Sequence, residues 1–122
     1  MPKTEKAKAS IRPRLRIVAG NNIAFGPGKA DLLEALEKTG SITKAAAQMG
    51  MSYMRAWTLI RTMNQSFREP LVDAIRGGTS GGGGACLTPT GLQVLALYRR
   101  MDDKSLAAIQ PDWRKLQKLL RG

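Results

Sequence analysis

Any chemistry in this chain must be done with cations and hydroxyls. Its 122 residues include 20 lysines and arginines against 9 acidic residues, with one cysteine and no histidine. Without histidine the usual general base at neutral pH and the commonest zinc ligand are missing, and Cys86 alone can form no intrachain disulfide. Cys86 is expected to be a small buried apolar side chain. Asp102 and Asp103 are neighbours in sequence, so on a helix they should point to different sides, both into solvent. No nucleophile, base and oxyanion donor come together in any motif, which argues against an enzyme and for no metal or cofactor. A net charge of +11 attracts polyanions. The residues that could meet one with defined geometry are Ser52, Tyr53, Met54, Arg55, Thr58 and Arg61. They lie at the start of a stretch, Tyr53 to Phe67, that contains neither glycine nor proline.

Positioning those side chains requires a particular local architecture. Gly40 to Ser52 reads as a short helix, a glycine turn and the capped start of a second helix. Thr43 and Ser52 are the expected N-caps, since a hydroxyl there can accept from an unpaired backbone N–H. Ala45, Ala46 and Ala47 allow a close helix crossing, and Gly50 supplies the left-handed residue that ends the first helix. On the second helix Ala56, Ile60, Met63 and Phe67 recur at helical spacing and should face the core. Trp57 borders that stripe and is expected to pack with it, a phosphate or base contact being the other reading. The opposite face carries Arg55, Thr58, Arg61, Thr62 and Gln65. In a helix-turn-helix this face enters the major groove: Arg55 suits a bidentate contact to guanine, Thr58 or Tyr53 a neighbouring base edge or thymine methyl, and Ser52 a phosphate. Thr43 and Lys44, at the start of the first helix, join the same candidate set. An ordinary solvated helix face is the competing reading.

The flanking segments complete the pattern. Residues 1–12 read as a disordered basic tail, either solvated or lying along phosphates. Arg12 to Val18 alternates arginine with apolar residues as an edge strand does, Asn21 to Gly28 reads as a loop, and an amphipathic helix follows from about Gly28 to Thr39 with Leu32, Leu33 and Leu36 on one face. Leu71 to Arg76 and Ala85 to Leu87 are strand candidates separated by Gly77 to Gly84. That run is not a phosphate-binding nucleotide loop, because no Gly-Lys-Ser/Thr follows it. A flexible wing tip fits better than a plain linker, with Arg76 at its base and Thr79 and Ser80 as further phosphate donors. Thr88-Pro89 starts a long helix reaching Met101 or Gln110, interrupted at Pro111. Its apolar positions Leu92, Val94, Leu95, Leu97, Tyr98 and Met101 cover more than one face, which predicts a homodimer, with Leu32, Leu33 and Leu36 as further contact candidates. The fold class is mainly α with a small β-hairpin wing: a winged helix-turn-helix over residues 13–101, prolonged by a helical extension over 102–122 for dimerisation. No apolar run approaches the roughly 18 residues of a membrane span, and the basic start lacks the apolar core of a signal peptide, so a cytoplasmic location is expected.

Gly40-Ser41-Ile42, Ala45-Ala46, Gly50-Met51-Ser52-Tyr53, Ala56-Trp57, Met63-Asn64, the glycine run and Leu87-Thr88-x-x-Gly91 together resemble the N-terminal DNA-binding domain of the ModE family of molybdate-responsive bacterial regulators. The resemblance spans about Arg14 to Met101, with a more distant likeness to LysR-type winged helices. It implies a dimeric winged-helix transcription factor with the long helix and the first helix in the dimer interface. By position it puts Ser52, Tyr53, Arg55 and Thr58 where the family's recognition helix meets DNA. In that family a C-terminal pair of small β-barrels binds molybdate; the sequence stops at Gly122, soon after the long helix, so tight molybdate binding is not expected. The resulting expectation is a sequence-specific transcriptional regulator of double-stranded DNA that recognises a pseudo-palindromic operator. A non-specific architectural nucleic-acid binder is the alternative.

Overall fold

Gly20 stands at φ 63°, a left-handed conformation that glycine adopts without penalty, and with Asn21 it turns the chain back on itself. The turn joins β1 (Ile17–Ala19) to β2 (Asn22–Phe25), which pair antiparallel from Ala19↔Asn22 outward with an irregularity between Ile17 and Val18. The computed structural model describes residues 8–75 and 84–121. This hairpin corrects the sequence reading: strand structure covers only the end of Arg12–Val18, and half of the expected loop is β2. The alternation of half-buried Ile11, Pro13 and Leu15 with exposed Arg12, Arg14 and Arg16 is present, but without strand pairing. What makes β2 a strand is Phe25, fully buried against the ring of Tyr98 at 5.1 Å and of Phe67 at 6.1 Å, both edge-on.

Four helices and a second hairpin complete the described residues: α1 (Pro27–Thr39), α2 (Ile42–Gln48), α3 (Tyr53–Ser66), β3 (Val72–Ile75), β4 (Gly84–Leu87) and α4 (Pro89–Gln117). Helix α1 starts with Pro27, whose missing N–H costs nothing at that position, and ends at Gly40 with φ 67°. Leu32, Leu33 and Leu36 are fully buried in the chain's own core with Ile60, Met63 and Leu71, so they are not available for the dimer contact expected of them. The cap of α2 is Ser41 rather than Thr43: its Oγ accepts from the Lys44 N–H at 3.1 Å, and Thr43 lies exposed in the first turn. The helix begins two residues earlier than a Thr43 cap would place it because Ile42 is drawn into the core. Ser52 caps α3 as expected, accepting from the Arg55 N–H at 3.0 Å, and Gly50 is left-handed at φ 67°.

Strand β4 pairs with β3 over Val72↔Leu87 to Ile75↔Gly84 and is also tied to the α1–α2 turn, with the Ala85 N–H donating to the Gly40 carbonyl at 3.1 Å. Ala85 therefore faces the core and its neighbour Cys86 faces out. The expected burial of Cys86 fails for that reason: strand periodicity outweighs the residue's usual preference. Asn64 holds β3 to α3. Its Oδ1 accepts from the N–H groups of Leu71 (2.8 Å) and Val72 (3.1 Å), and its Nδ2 donates to the Val72 carbonyl (3.0 Å).

Helix α4 does not stop at Pro111 but runs through it to Gln117. Proline removes one helical hydrogen bond, that to the Ala107 carbonyl, and on this exposed segment water can replace it. Leu95 and Tyr98 are buried against the core, and the Tyr98 hydroxyl donates to the Leu15 carbonyl at 2.6 Å, tying the arginine-rich segment to α4. Leu92, Leu97 and Met101 remain exposed. Asp102 is not a solvated twin of Asp103. It lies 3.7 Å from Arg99, whose guanidinium also binds Glu34 through two bonds (2.7 and 3.1 Å) and Asp31 (2.9 Å), cross-linking α4 to α1.

The Arg99 hydrogen bonds hold the Glu34 carboxyl below its ordinary value, against a smaller opposing effect of burial. A depressed carboxyl pKa contributes stability above the unfolded value, and that contribution disappears as pH falls through the folded one. The groups are partly exposed, so the effect is modest, about 0.5–1 kcal/mol. Arg99→Met should therefore lower stability near pH 7 by about that amount and flatten its decline below about pH 4. Urea denaturation across a pH series checks this. Parallel acid profiles for the two proteins would remove Glu34–Arg99 from the account.

Candidate nucleic-acid interface

One face of α3 is committed to the core and the other is open. Ala56, Ile60 and Met63 are buried, and Phe67, just past the helix end, is half-buried against Phe25. The hydrophobic stripe thus fixes the rotation of α3 about its axis. As a consequence Tyr53, Met54, Arg55, Thr58 and Arg61 all face solvent, and Met54, at 64% exposed, gains nothing from the fold. An exposed methionine and tyrosine flanked by arginines form a surface with apolar as well as charged contacts to offer, which an ordinary solvated face does not need.

The hydroxyls on this face differ in what they can still do. Thr58 Oγ1 donates to the Met54 carbonyl at 2.9 Å, and Thr62 and Ser66 repeat the bond to Thr58 and Thr62 at 2.9 and 2.8 Å. The Thr58 proton is therefore engaged, leaving an acceptor lone pair and a methyl group for a partner. Ser52 is the reverse case. Its oxygen accepts the Arg55 N–H, and its own proton remains available to an anion at the positive end of α3. Helix α2 lies across the start of α3 with Thr43 and Lys44 exposed.

Trp57 is 37% exposed rather than packed inside the core. It lines a shallow cavity of about 200 Å³ together with Ile42, Ile60 and Val72, between α3 and β3. The β3–β4 hairpin closes as a wing should at its base, whereas Arg76, Thr79 and Ser80 lie outside the described residues. Two residues that the sequence reading passed over as positioning groups are Ser41 and Asn64. Ser41 stands three residues before a backbone N–H in need of a cap, the same signal that identified Ser52. Asn64 carries no local signal, because its partners lie seven and eight residues away. Among the described residues no group of three or more cysteine, aspartate or glutamate side chains is arranged to hold a metal ion.

Two helices crossing at a glycine turn, the second presenting an open face, followed by a β-hairpin packed on α1 and α2 and tied to α3 by Asn64, define a winged helix-turn-helix protein. Comparison with known proteins narrows the class. The profile of bacterial regulatory helix-turn-helix proteins of the lysR family matches residues 29–92, and the chain belongs to that family. The chain is 40% identical over 99 residues to the molybdenum transport protein ModE of Azotobacter vinelandii, covering 81% of this chain and 36% of that protein. Against the molybdenum-pterin-binding protein MopB of Rhodobacter capsulatus identity is 44% over 74 residues, 61% of this chain and 27% of the relative. Against the DNA-binding transcriptional dual regulator ModE of Escherichia coli (strain K12) it is 42% over 72 residues, 59% and 27%. The match thus spans between about a quarter and a little over a third of the length of these relatives. The crystal structure of a LysR family transcriptional regulator superposes with a TM-score of 0.51 at 14% identity, covering 70% of this chain and 27% of that one, which supports the fold.

Proposed function

We infer that this chain is a sequence-specific DNA-binding transcriptional regulator in which α3 enters the major groove of double-stranded DNA. The observation that carries the reading is the open face of α3: Ser52, Tyr53, Met54, Arg55, Thr58 and Arg61 share it, on a helix whose rotation the core fixes. Thr43 and Lys44 flank it from α2. Arg76, Thr79 and Ser80 of the wing segment are proposed as backbone contacts on sequence grounds alone. Regulators, not enzymes, make up the family, and the relatives named ModE and MopB suggest a role in molybdenum metabolism.

Residues 13–101 act as the DNA-binding unit and 102–122 prolong α4. Two chains pair through the exposed side of α4, where Leu92, Leu97 and Met101 are uncovered. A dimer then meets a pseudo-palindromic operator with half-sites one helical turn or a multiple apart. Isolated molybdate binds weakly to this chain, because an anion of that charge needs a closed set of converging donors. Among the described residues no helix is long and apolar enough to cross a membrane, and a regulator of DNA works in the cytoplasm.

Selection of duplexes from a random pool, followed by titration of the recovered operator, tests the reading. Arg55→Ala should cost about 1–3 kcal/mol on the operator and relax preference at one base pair per half-site. Equal weakening on operator and random DNA would make Arg55 a phosphate contact only. A wild-type protein with no preference between pools would establish the architectural alternative instead.

A further inference from the structure

Beside the open face of α3 lies a cleft of about 360 Å³ that α3 forms together with segments outside the helix-turn-helix. Its walls come from three places in the chain: Arg14 and Arg16 from the segment before β1, Lys29 from the first turn of α1, and Arg55 from α3, with Gly26 and Met51 between them. Three arginines and one lysine thus line one depression. Among the described residues none of the four takes part in an ion pair, although Arg99 nearby gathers three carboxylates. Such a concentration of one sign of charge opposes itself unless an anion enters.

The cleft is held in shape by specific contacts. The Tyr98 hydroxyl bonds the Leu15 carbonyl at 2.6 Å, which anchors the backbone between Arg14 and Arg16. The Arg16 stem passes over Gly26, where a β-carbon would meet it at 3.5 Å. Lys29 Nζ donates to the Ile23 carbonyl at 2.7 Å and so sits in the wall of the cleft. Partial burial there holds its pKa below the ordinary lysine value, the direction that an entering anion would reverse.

We propose that this cleft seats backbone phosphates of the DNA flanking each recognised half-site, with Arg14 and Arg16 as the principal contacts and Lys29 behind them. The assignment rests on the reading of α3 as the major-groove helix. Charge complementarity and continuity select the occupant: Arg55 belongs both to the open face of α3 and to the cleft wall, so a strand leaving the groove at Arg55 meets Arg14 and Arg16 next. Phosphate contacts of this kind add affinity and register but carry no base information.

Arg14→Gln combined with Arg16→Gln tests the assignment, because glutamine keeps much of the stem and removes the charge. Affinity of wild type and variant is measured for the selected operator and for a short mixed-sequence duplex, over a salt series, with circular dichroism to establish equal folding. The expected result is a salt dependence shallower by about 0.9 in log–log slope per lost contact, or roughly a tenfold smaller loss per protomer between 50 and 200 mM salt, with the ratio of operator to random affinity unchanged. An unchanged slope with wild-type affinity overturns the cleft assignment and leaves the α3 reading standing. A wild-type protein that binds neither duplex removes both. Titration with inorganic phosphate separates the remaining source: a saturable micromolar site abolished by the same double variant would make the cleft a small-anion site and overturn its assignment to DNA.

Discussion

Gly91→Ala should be among the most damaging single substitutions in this protein, lowering its stability by about 2–3 kcal/mol or more. A β-carbon built on Gly91 would lie 2.1 Å from the Leu71 carbonyl oxygen, 3.0 Å from its carbon and 3.3 Å from its Cα. All three are backbone atoms, so no side-chain rotation can relieve the clash. The carbonyl is itself fixed, since it accepts the Thr88 N–H at 2.9 Å, and Thr88 Oγ1 both donates to the Pro70 carbonyl and accepts from Gly91 N–H. Alanine in an unobstructed helix would gain about 1 kcal/mol over glycine. Overpacking a rigid site typically costs 1–3 kcal/mol and occasionally more. A contact this short lies at the upper end, so the steric cost exceeds the helix preference. Thermal denaturation should show a fall of roughly 8 °C or more. Gly28→Ala is the internal control: nothing lies within 4 Å of a β-carbon there, on the second residue of α1, and stability should hold or rise slightly. A Gly91→Ala protein as stable as wild type would mean that the α4 start and β3 are not in contact as described.

The second large effect is expected at Asn64. Asn64→Leu preserves approximate size but leaves two N–H groups and one carbonyl of Leu71 and Val72 without the amide they bond. Each stranded group that stays out of water costs about 1–3 kcal/mol, and partial access to solvent at this half-buried site reduces the total to roughly 2–4 kcal/mol. The consequence reaches beyond stability. Asn64 is the polar link between the helix that carries Arg55 and the strand that leads into the wing, so the angle between α3 and β3 depends on it. The chemical-denaturation midpoint should fall without a change in slope, and operator affinity should fall further than the loss of folded population explains. A shift under about 0.5 kcal/mol would show that solvent already satisfies these groups.

The open face of α3 is legible in the sequence because it depends on local rules. Ala56, Ile60 and Met63 recur at helical spacing, Ser52 stands where a cap must, and Gly50 is the one residue type that readily takes φ 67° there. Given those, the rotation of the helix follows, and with it the exposure of Tyr53, Met54, Arg55, Thr58 and Arg61. The Thr88-Pro89 start of α4 follows from the same kind of local rule, whereas Leu32, Leu33 and Leu36 share one helix face as expected but fill the chain's own core instead of a dimer contact. Where a local signal competed with a distant one, the reading failed. Cys86 has the composition of a buried residue, yet pairing of β4 with β3 turned it outward. Thr43 has the chemistry of a cap, yet burial of Ile42 moved the helix start and gave the role to Ser41. Pro111 signals a break, yet an exposed helix tolerates it.

The arginines before β1 mark the boundary most clearly. From sequence alone Arg14 and Arg16 are alternate residues of an expected edge strand, and Lys29 and Arg55 belong to other elements altogether. Nothing in their spacing brings them together. The Tyr98 hydroxyl reaching the Leu15 carbonyl across 83 positions of sequence does so, as do the seat of Phe25 on Tyr98 and Phe67 and the passage of Arg16 over Gly26. Helix faces and turns arise from interactions within a few residues, so the chain determines them wherever it is folded. The basic cleft, the Asn64 clamp and the Arg99 cross-link join groups far apart in sequence, and only the packed core decides which of these meet.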